Sequence, residues 1–217
     1  MLKKSGIRLI LSLLFVMAGA ISACDGDMSV NKNLRVDDGD IHIGDLSTVN
    51  GNISVGKDCS VKGSCQSVNG QVEIDDASKV GDVSTVNGKI TIGNKVQIGG
   101  DLESVNGGIS VHSGSEIRGG ISVINGRIDI AGSLVERDIE TINGNITLRE
   151  KSLVRGNIVI GESTGSNNRR EVTIRLEDGS VVEGDIINED ERTEVTVYIP
   201  EGCEVRGKIR DCEVIKG

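Results

Sequence analysis

An Asn-Gly pair recurs at Asn50, Asn69, Asn87, Asn106, Asn125 and Asn143, at steps of 19, 18, 19, 19 and 18 residues. So short and steady a period means one small unit stacked on copies of itself. Each period carries three apolar sites. An alternating pair follows Asn-Gly, as in Ile53/Val55, Ile90/Ile92 and Ile109/Val111. A single residue comes next: Val61, Val80, Ile98, Ile117, Val135 and Val154. A further pair precedes the next Asn-Gly: Cys65/Val68, Val83/Val86, Leu102/Val105, Ile121/Ile124 and Ile139/Ile142. Alternation of this kind marks short strands with one buried face, each too short to stand alone.

Three such strands per turn predict an all-β, three-sided, single-stranded parallel β-helix (a β-solenoid). About nine coils of 18–19 residues would make a rod on the order of 40 Å long. The right-handed sense is expected, as in nearly all parallel crossovers; the left-handed hexapeptide helix, which also fits an 18-residue coil, is the alternative. The Asn-Gly corners are expected to use glycine for positive φ, which Asn also tolerates. Their Asn side chains, Asn50 to Asn143, are expected to stack as a hydrogen-bonded ladder. A second corner carries Gly63, Gly81, Gly100, Gly120 and Gly156, followed in places by Asp82, Asp101 or Asn157. A hairpin meander also uses Asn-Gly turns, but it gives no reason for three unequal apolar sites at a constant period.

The pattern weakens outside the six copies. Leu34 to Gly51 reads as a first coil with Ile41, Ile43, Leu46 and Val49 inward. After residue 160 two coils are expected from Val172/Ile174/Leu176, Val181 and Ile186, and from Val195/Val197, Val205, Ile209 and Cys212. Charged loops interrupt these last coils, as terminal, capping repeats of a solenoid allow.

The first residues have a different character. Lys3, Lys4 and Arg8 give a positive start, the stretch from Ile7 to Met17 is otherwise almost wholly apolar, and small residues follow. This is the layout of a secretory signal peptide, and the run falls short of the roughly 20 apolar residues of a membrane span. Ile21-Ser22-Ala23-Cys24 resembles the bacterial lipobox. That resemblance implies cleavage before Cys24 and acylation of Cys24 (diacylglycerol on the thiol, palmitate-type chains). Asp25 resembles an inner-membrane retention signal; the outer membrane stays open. The expected division is therefore 1–23 signal peptide, 24–33 lipidated cysteine and tether, 34–160 Asn-Gly solenoid, and 161–217 C-terminal coils and cap. The expected location is the bacterial cell envelope, facing the periplasm.

Composition narrows function. The chain carries a net charge of −9, and loss of the three signal cations takes it to −12. That charge disfavours nucleic acid. Apart from Phe15 in the signal, Tyr198 is the sole aromatic residue and there is no Trp, so stacking on bases or sugars is nearly excluded.

Four cysteines follow Cys24. Position along the rod leaves Cys59–Cys65 and Cys203–Cys212 as the feasible disulfides, with free buried thiols as the alternative. His42 and His112, the only histidines, are each flanked by apolar residues and are expected to face outward. Asp82 and Asp101 share an edge, as calcium ligands or solvated corner residues do, and no calcium-binding nonapeptide is present. No catalytic residue, metal site or cofactor is expected.

The apolar coils with glycine corners, and words such as Ser84–Gly93, resemble the bactofilin family of polymer-forming bacterial β-helices and their exported relatives. The resemblance covers residues 34–160 well and supplies no catalytic residues. It implies a non-enzymatic structural or scaffold lipoprotein, bound to a membrane by its anchor and associating with itself or an envelope polymer. The alternative is an adhesin-like or envelope-polysaccharide-binding module.

Overall fold

The computed structural model describes residues 26–163 and 169–217, and these form one three-sided parallel β-solenoid. Strands β1 (Asp27–Ser29), β2 (Leu34–Val36) and β3 (Ile41–His42) begin faces A, B and C. Every third strand thereafter adds to the same face. Faces A and B hold ten strands each and face C nine, all paired in parallel. The rod thus has ten rungs, not nine. The extra strands come from both ends: from the expected tether, where β1 pairs Asp27, Met28 and Ser29 with Leu46, Ser47 and Thr48, and from Glu213–Lys216, which pairs with Thr196–Ile199. The faces also run without interruption across residue 160 to the last strands, Glu204–Val205, Ile209–Arg210 and Glu213–Lys216.

Each rung sends two side chains inward from face B, one from face C and two from face A. Face B turns an apolar pair inward in every rung but the last: Ile53/Val55, Ile90/Ile92, Ile109/Val111 and Ile174/Leu176 are all buried. Face C contributes Val61, Val80, Ile98, Ile117, Val135 and Val154, with Val182, not Val181, continuing that column. Face A differs from expectation. Its second inward residue is polar in most rungs (Thr48, Ser67, Thr85, Ser104, Thr141), and Val123 is the apolar variant among these rungs. Val68, Val86, Val105, Ile124 and Ile142 lie outward and are half-buried. Strand period is two, so an apolar residue three positions after Val83 must leave the core.

The inward hydroxyls bind the A–B corner of the preceding rung. Thr48, Ser67 and Thr85 donate to the carbonyls of Lys32, Gly51 and Gly70 at 3.1, 2.9 and 3.0 Å. A second hydroxyl column fills the corner between faces B and C: Ser78, Ser115, Ser133, Ser152 and Ser180, with Cys59 and Cys203 towards its two ends. Ser78 Oγ, for example, accepts the Cys59 N–H at 2.9 Å and donates to the Gly56 carbonyl at 2.7 Å. These bonds satisfy corner backbone groups that the sheets cannot reach.

The residue just before that column is the one that needs positive φ. It is Gly39, Asp58, Ala77, Lys95, Gly114, Gly132, Lys151, Gly179 or Gly202 in successive rungs, with φ from 52° to 84°. Ala77 and Lys95 therefore bear a left-handed conformation that glycine adopts freely. Lys95→Gly is expected to raise stability by about 0.5–1 kcal/mol, read from the midpoint of chemical denaturation.

Glycine in the Asn-Gly pairs has another purpose. Gly51, Gly70, Gly88, Gly107 and Gly144 do not have positive φ, and Gly126, at 158°, is extended. A Cβ on Gly70, Gly88, Gly107 or Gly144 would lie 1.8–2.0 Å from the carbonyl oxygen of the glycine one rung below. Close stacking of backbone on backbone demands glycine here, in place of the expected turn conformation.

Candidate functional site

The Asn ladder forms as expected, and it is one residue longer. Each Nδ2 donates to the Oδ1 of the rung below: Asn50 to Asn31 at 2.9 Å, Asn69 to Asn50 and Asn87 to Asn69 at 2.8 Å, Asn106 to Asn87 at 3.0 Å, Asn125 to Asn106 at 3.1 Å and Asn143 to Asn125 at 3.3 Å. Asn31 lacks a following glycine, but its spacing of 19 residues from Asn50 marks it.

The second glycine corner carries a ladder of another kind. Oδ1 of Asp45, Asp82, Asp101, Asp138, Asn157 and Asp185 accepts the N–H of Ser64, Asp101, Gly120, Asn157, Asp185 and Lys208, at 2.7–2.9 Å. Asp82 and Asp101 are members of this ladder. Each spends one oxygen on the next rung's backbone, and no cluster of three or more metal-ligating side chains occurs among the described residues.

The two histidines part company. His112 is exposed, as expected. His42 points inward: it pairs with Val61, and its Nε2 is buried with no hydrogen-bond partner among the described residues. Its neighbours Ile41 and Ile43 are turned out, 69% and 67% exposed. Alignment on the corner glycine contains the signal. The inward residue stands two places before Gly63 and Gly44 alike, which selects Val61 and His42.

The expected disulfides are not formed, and all four described cysteines are free thiols. Cys59 belongs to the B–C corner column and donates to the Asp37 carbonyl at 3.0 Å, whereas Cys65 takes the Leu46/Val83 position on face A. Cys203 ends the corner column, and Cys212 donates to the Arg210 carbonyl at 3.1 Å. Burial, with help from Asp45, pushes the Cys65 thiol up to about 12. Burial and Asp211 push Cys212 up to about 11, against the Asn188 N–H. Thiols held that high are poor nucleophiles at neutral pH.

The C-terminal rungs replace Asn-Gly by two longer loops over a buried ion pair. Arg170 and Asp190 are joined directly, their side chains 13% and 3% exposed. Arg170 also donates to the Ile142 carbonyl and Thr193 Oγ1, and Asp190 accepts the backbone N–H of Arg192 and Ser163. Burial raises the Asp190 pKa, but these N–H bonds and the Arg192 guanidinium outweigh it and hold the carboxyl down at about 2. Nothing in the composition announced this pair, which joins residues twenty apart, one opening the strand Arg170–Leu176 and the other in the loop before Thr193.

Beside it lies an open groove of about 880 Å³, lined by Glu171, Glu191, Glu194, Glu213 and Tyr198 among others. Glu171 and Glu194 are direct neighbours across two strands, and Arg169 pairs with Glu194 at 3.4 Å. The Arg175 guanidinium lies 4.6 Å from the centre of the Tyr198 ring. On face A, Glu103 and Glu140 are half-buried, and burial with nearby carboxylates raises both above the usual carboxylate range.

Cys24, Asp25 and the expected signal segment lie outside the described residues, and no described helix is long and apolar enough to cross a membrane. No protein-family model, curated protein or solved structure matches the chain.

Proposed function

We propose that this protein is a non-enzymatic, lipid-anchored scaffold of the bacterial cell envelope, a stiff rod held to a membrane by acyl chains on Cys24. The observation that carries this reading is how the polar residues are spent. The Asn and Asp columns and both hydroxyl columns bond one rung to the next, so groups that elsewhere converge on a substrate here hold a repeating frame together.

Contacts with like rods or an envelope polymer belong to the long faces, where side chains repeat at about 4.8 Å. The two ends suit stacking less well. Asp27 and Lys216 occupy the positions of the buried Leu46 and Ile199, so each end presents a charge where a continuing core needs an apolar residue. Inward charges on edge strands oppose such pairing. A distal binding module is the second reading, favoured by the acidic groove beside Tyr198.

Cys24→Ala tests the anchor. Two or three acyl chains, at about 0.8 kcal/mol per buried CH₂, hold a protein durably, and none remain in this variant. The variant is expected either to appear in the soluble fraction or to persist as an unprocessed precursor that keeps its apolar segment. A processed variant with unchanged fractionation refutes the anchored reading.

A further inference from the structure

The first rung is inside out on two of its three faces, while on face B Leu34 and Val36 keep the ordinary inward positions. On face C every other rung turns an apolar residue inward at the His42 position. Flanking residues there include polar pairs such as Ser60 and Lys62 or Glu116 and Arg118. In the first rung His42 is inward, and Ile41 and Ile43 are outward. Face A repeats the inversion: Asp27 stands at the Leu46 position, and Met28, 64% exposed, stands where Ser47, Gln66 and Ser84 follow. Val30 is 58% exposed at the foot of the same face. Apolar side chains turned out, with polar ones turned in, suit an apolar surround.

We infer that this girdle of Met28, Val30, Ile41 and Ile43 is seated in the membrane interface, so that the rod stands with its first rung among lipid headgroups. This inference rests on the acylation of Cys24 proposed above. Only Asp25 and Gly26 separate Cys24 from β1. Three peptide units reach about 10 Å at full extension, so an anchored Cys24 holds the first rung at the bilayer surface. Apolar faces of interfacial elements sink about 5–10 Å into the headgroup boundary, the depth of one or two rungs.

A second copy stacked on the end would cover the core cross-section and leave these residues exposed, because they point sideways from two faces. The base also carries Asp27, Asp37, Asp38, Asp40 and Asp45 against Lys32 and Arg35. Zwitterionic lipid is therefore the expected partner, with no requirement for anionic headgroups.

The absence of Trp from the chain makes an introduced one a unique probe. Ile41→Trp, Met28→Trp and, about 30 Å up the rod on face B, Thr147→Trp are to be made in the full, processed protein. Each is reconstituted into phosphatidylcholine vesicles with brominated acyl chains. Ile41→Trp and Met28→Trp are expected to shift to the blue and lose at least about half of their emission, and Thr147→Trp to change little. If mass spectrometry shows Cys24 acylated and the protein sediments with vesicles, yet Ile41→Trp behaves like Thr147→Trp, the girdle inference is wrong and the anchor stands. An unmodified Cys24 removes both. A blue shift that appears without vesicles and grows with protein concentration assigns the girdle to a second copy and overturns the inference.

Discussion

Gly107→Ala is expected to destabilise the rod by about 3 kcal/mol or more, and Gly99→Ala by less than about 0.5 kcal/mol. Both glycines lie mid-rod and neither has positive φ, so backbone freedom does not separate them. Space does. A Cβ on Gly107 would stand 1.9 Å from the Gly88 carbonyl oxygen and 2.5 Å from its carbon. Those atoms are backbone, held by the rungs on either side, so relief requires prising two coils apart. The Asn ladder beside the site would then lose the Asn106–Asn87 bond, now 3.0 Å. At Gly99 the nearest atom is the Val80 carbonyl oxygen at 3.6 Å, an ordinary contact. Chemical denaturation of the two variants side by side is the measurement. Equal losses would mean that the glycines serve flexibility and not close stacking.

Asp190→Ala is expected to cost the C-terminal rungs about 3–5 kcal/mol, because it strands the Arg170 guanidinium in a site that is 13% exposed. A solenoid loses such an end locally, so the effect is expected in amide exchange of the strands Ile186–Asn188 and Thr193–Ile199, with the central rungs unchanged. Asp190→Ala combined with Arg170→Met is expected to recover part of the loss, as neutral packing replaces an unpaired charge.

The same pair sets an acid limit. The folded carboxyl of Asp190 titrates at about 2, below its ordinary value of 3.8. Its contribution is therefore whole above about pH 4 and fades as pH falls towards 2. Glu103 and Glu140 act in the opposite sense. Their pKa values are raised, so they weaken the fold as pH rises through their titration. Acid-induced exchange confined to the C-terminal strands would identify Asp190 as the weak point.

Much of this molecule was legible because a repeat states its own register many times over. Six Asn-Gly pairs at a period of 18 or 19 residues determined the class of fold, the three faces and the Asn ladder. The apolar columns of faces B and C followed, since a two-residue alternation leaves one choice of inward side. Where the copies stopped, that constraint weakened. Ile41 and Ile43 read as core because they are apolar, and only pairing with the next rung turns them out and His42 in. The same limit hid β1, whose pairing with Leu46–Thr48 supplies the order that three residues alone lack.

Side-chain partners lay further beyond reach. The serine column, the Asp–backbone ladder and the Arg170–Asp190 pair each join residues about 20 apart, where propensity and periodicity carry no signal. The glycines of the corners show the division most clearly. Their positions were written in the sequence, but their purpose was not. Only the stacked backbone separates those that accept a positive φ, such as Gly114, from those where a Cβ would fall less than 2 Å from a carbonyl oxygen, such as Gly107. The sequence alone determined a repeating, nearly aromatic-free chain that stacks in three faces. The tertiary structure decided which side is inside where the copies stop, at β1 and β3, because there the choice depends on the neighbouring rung.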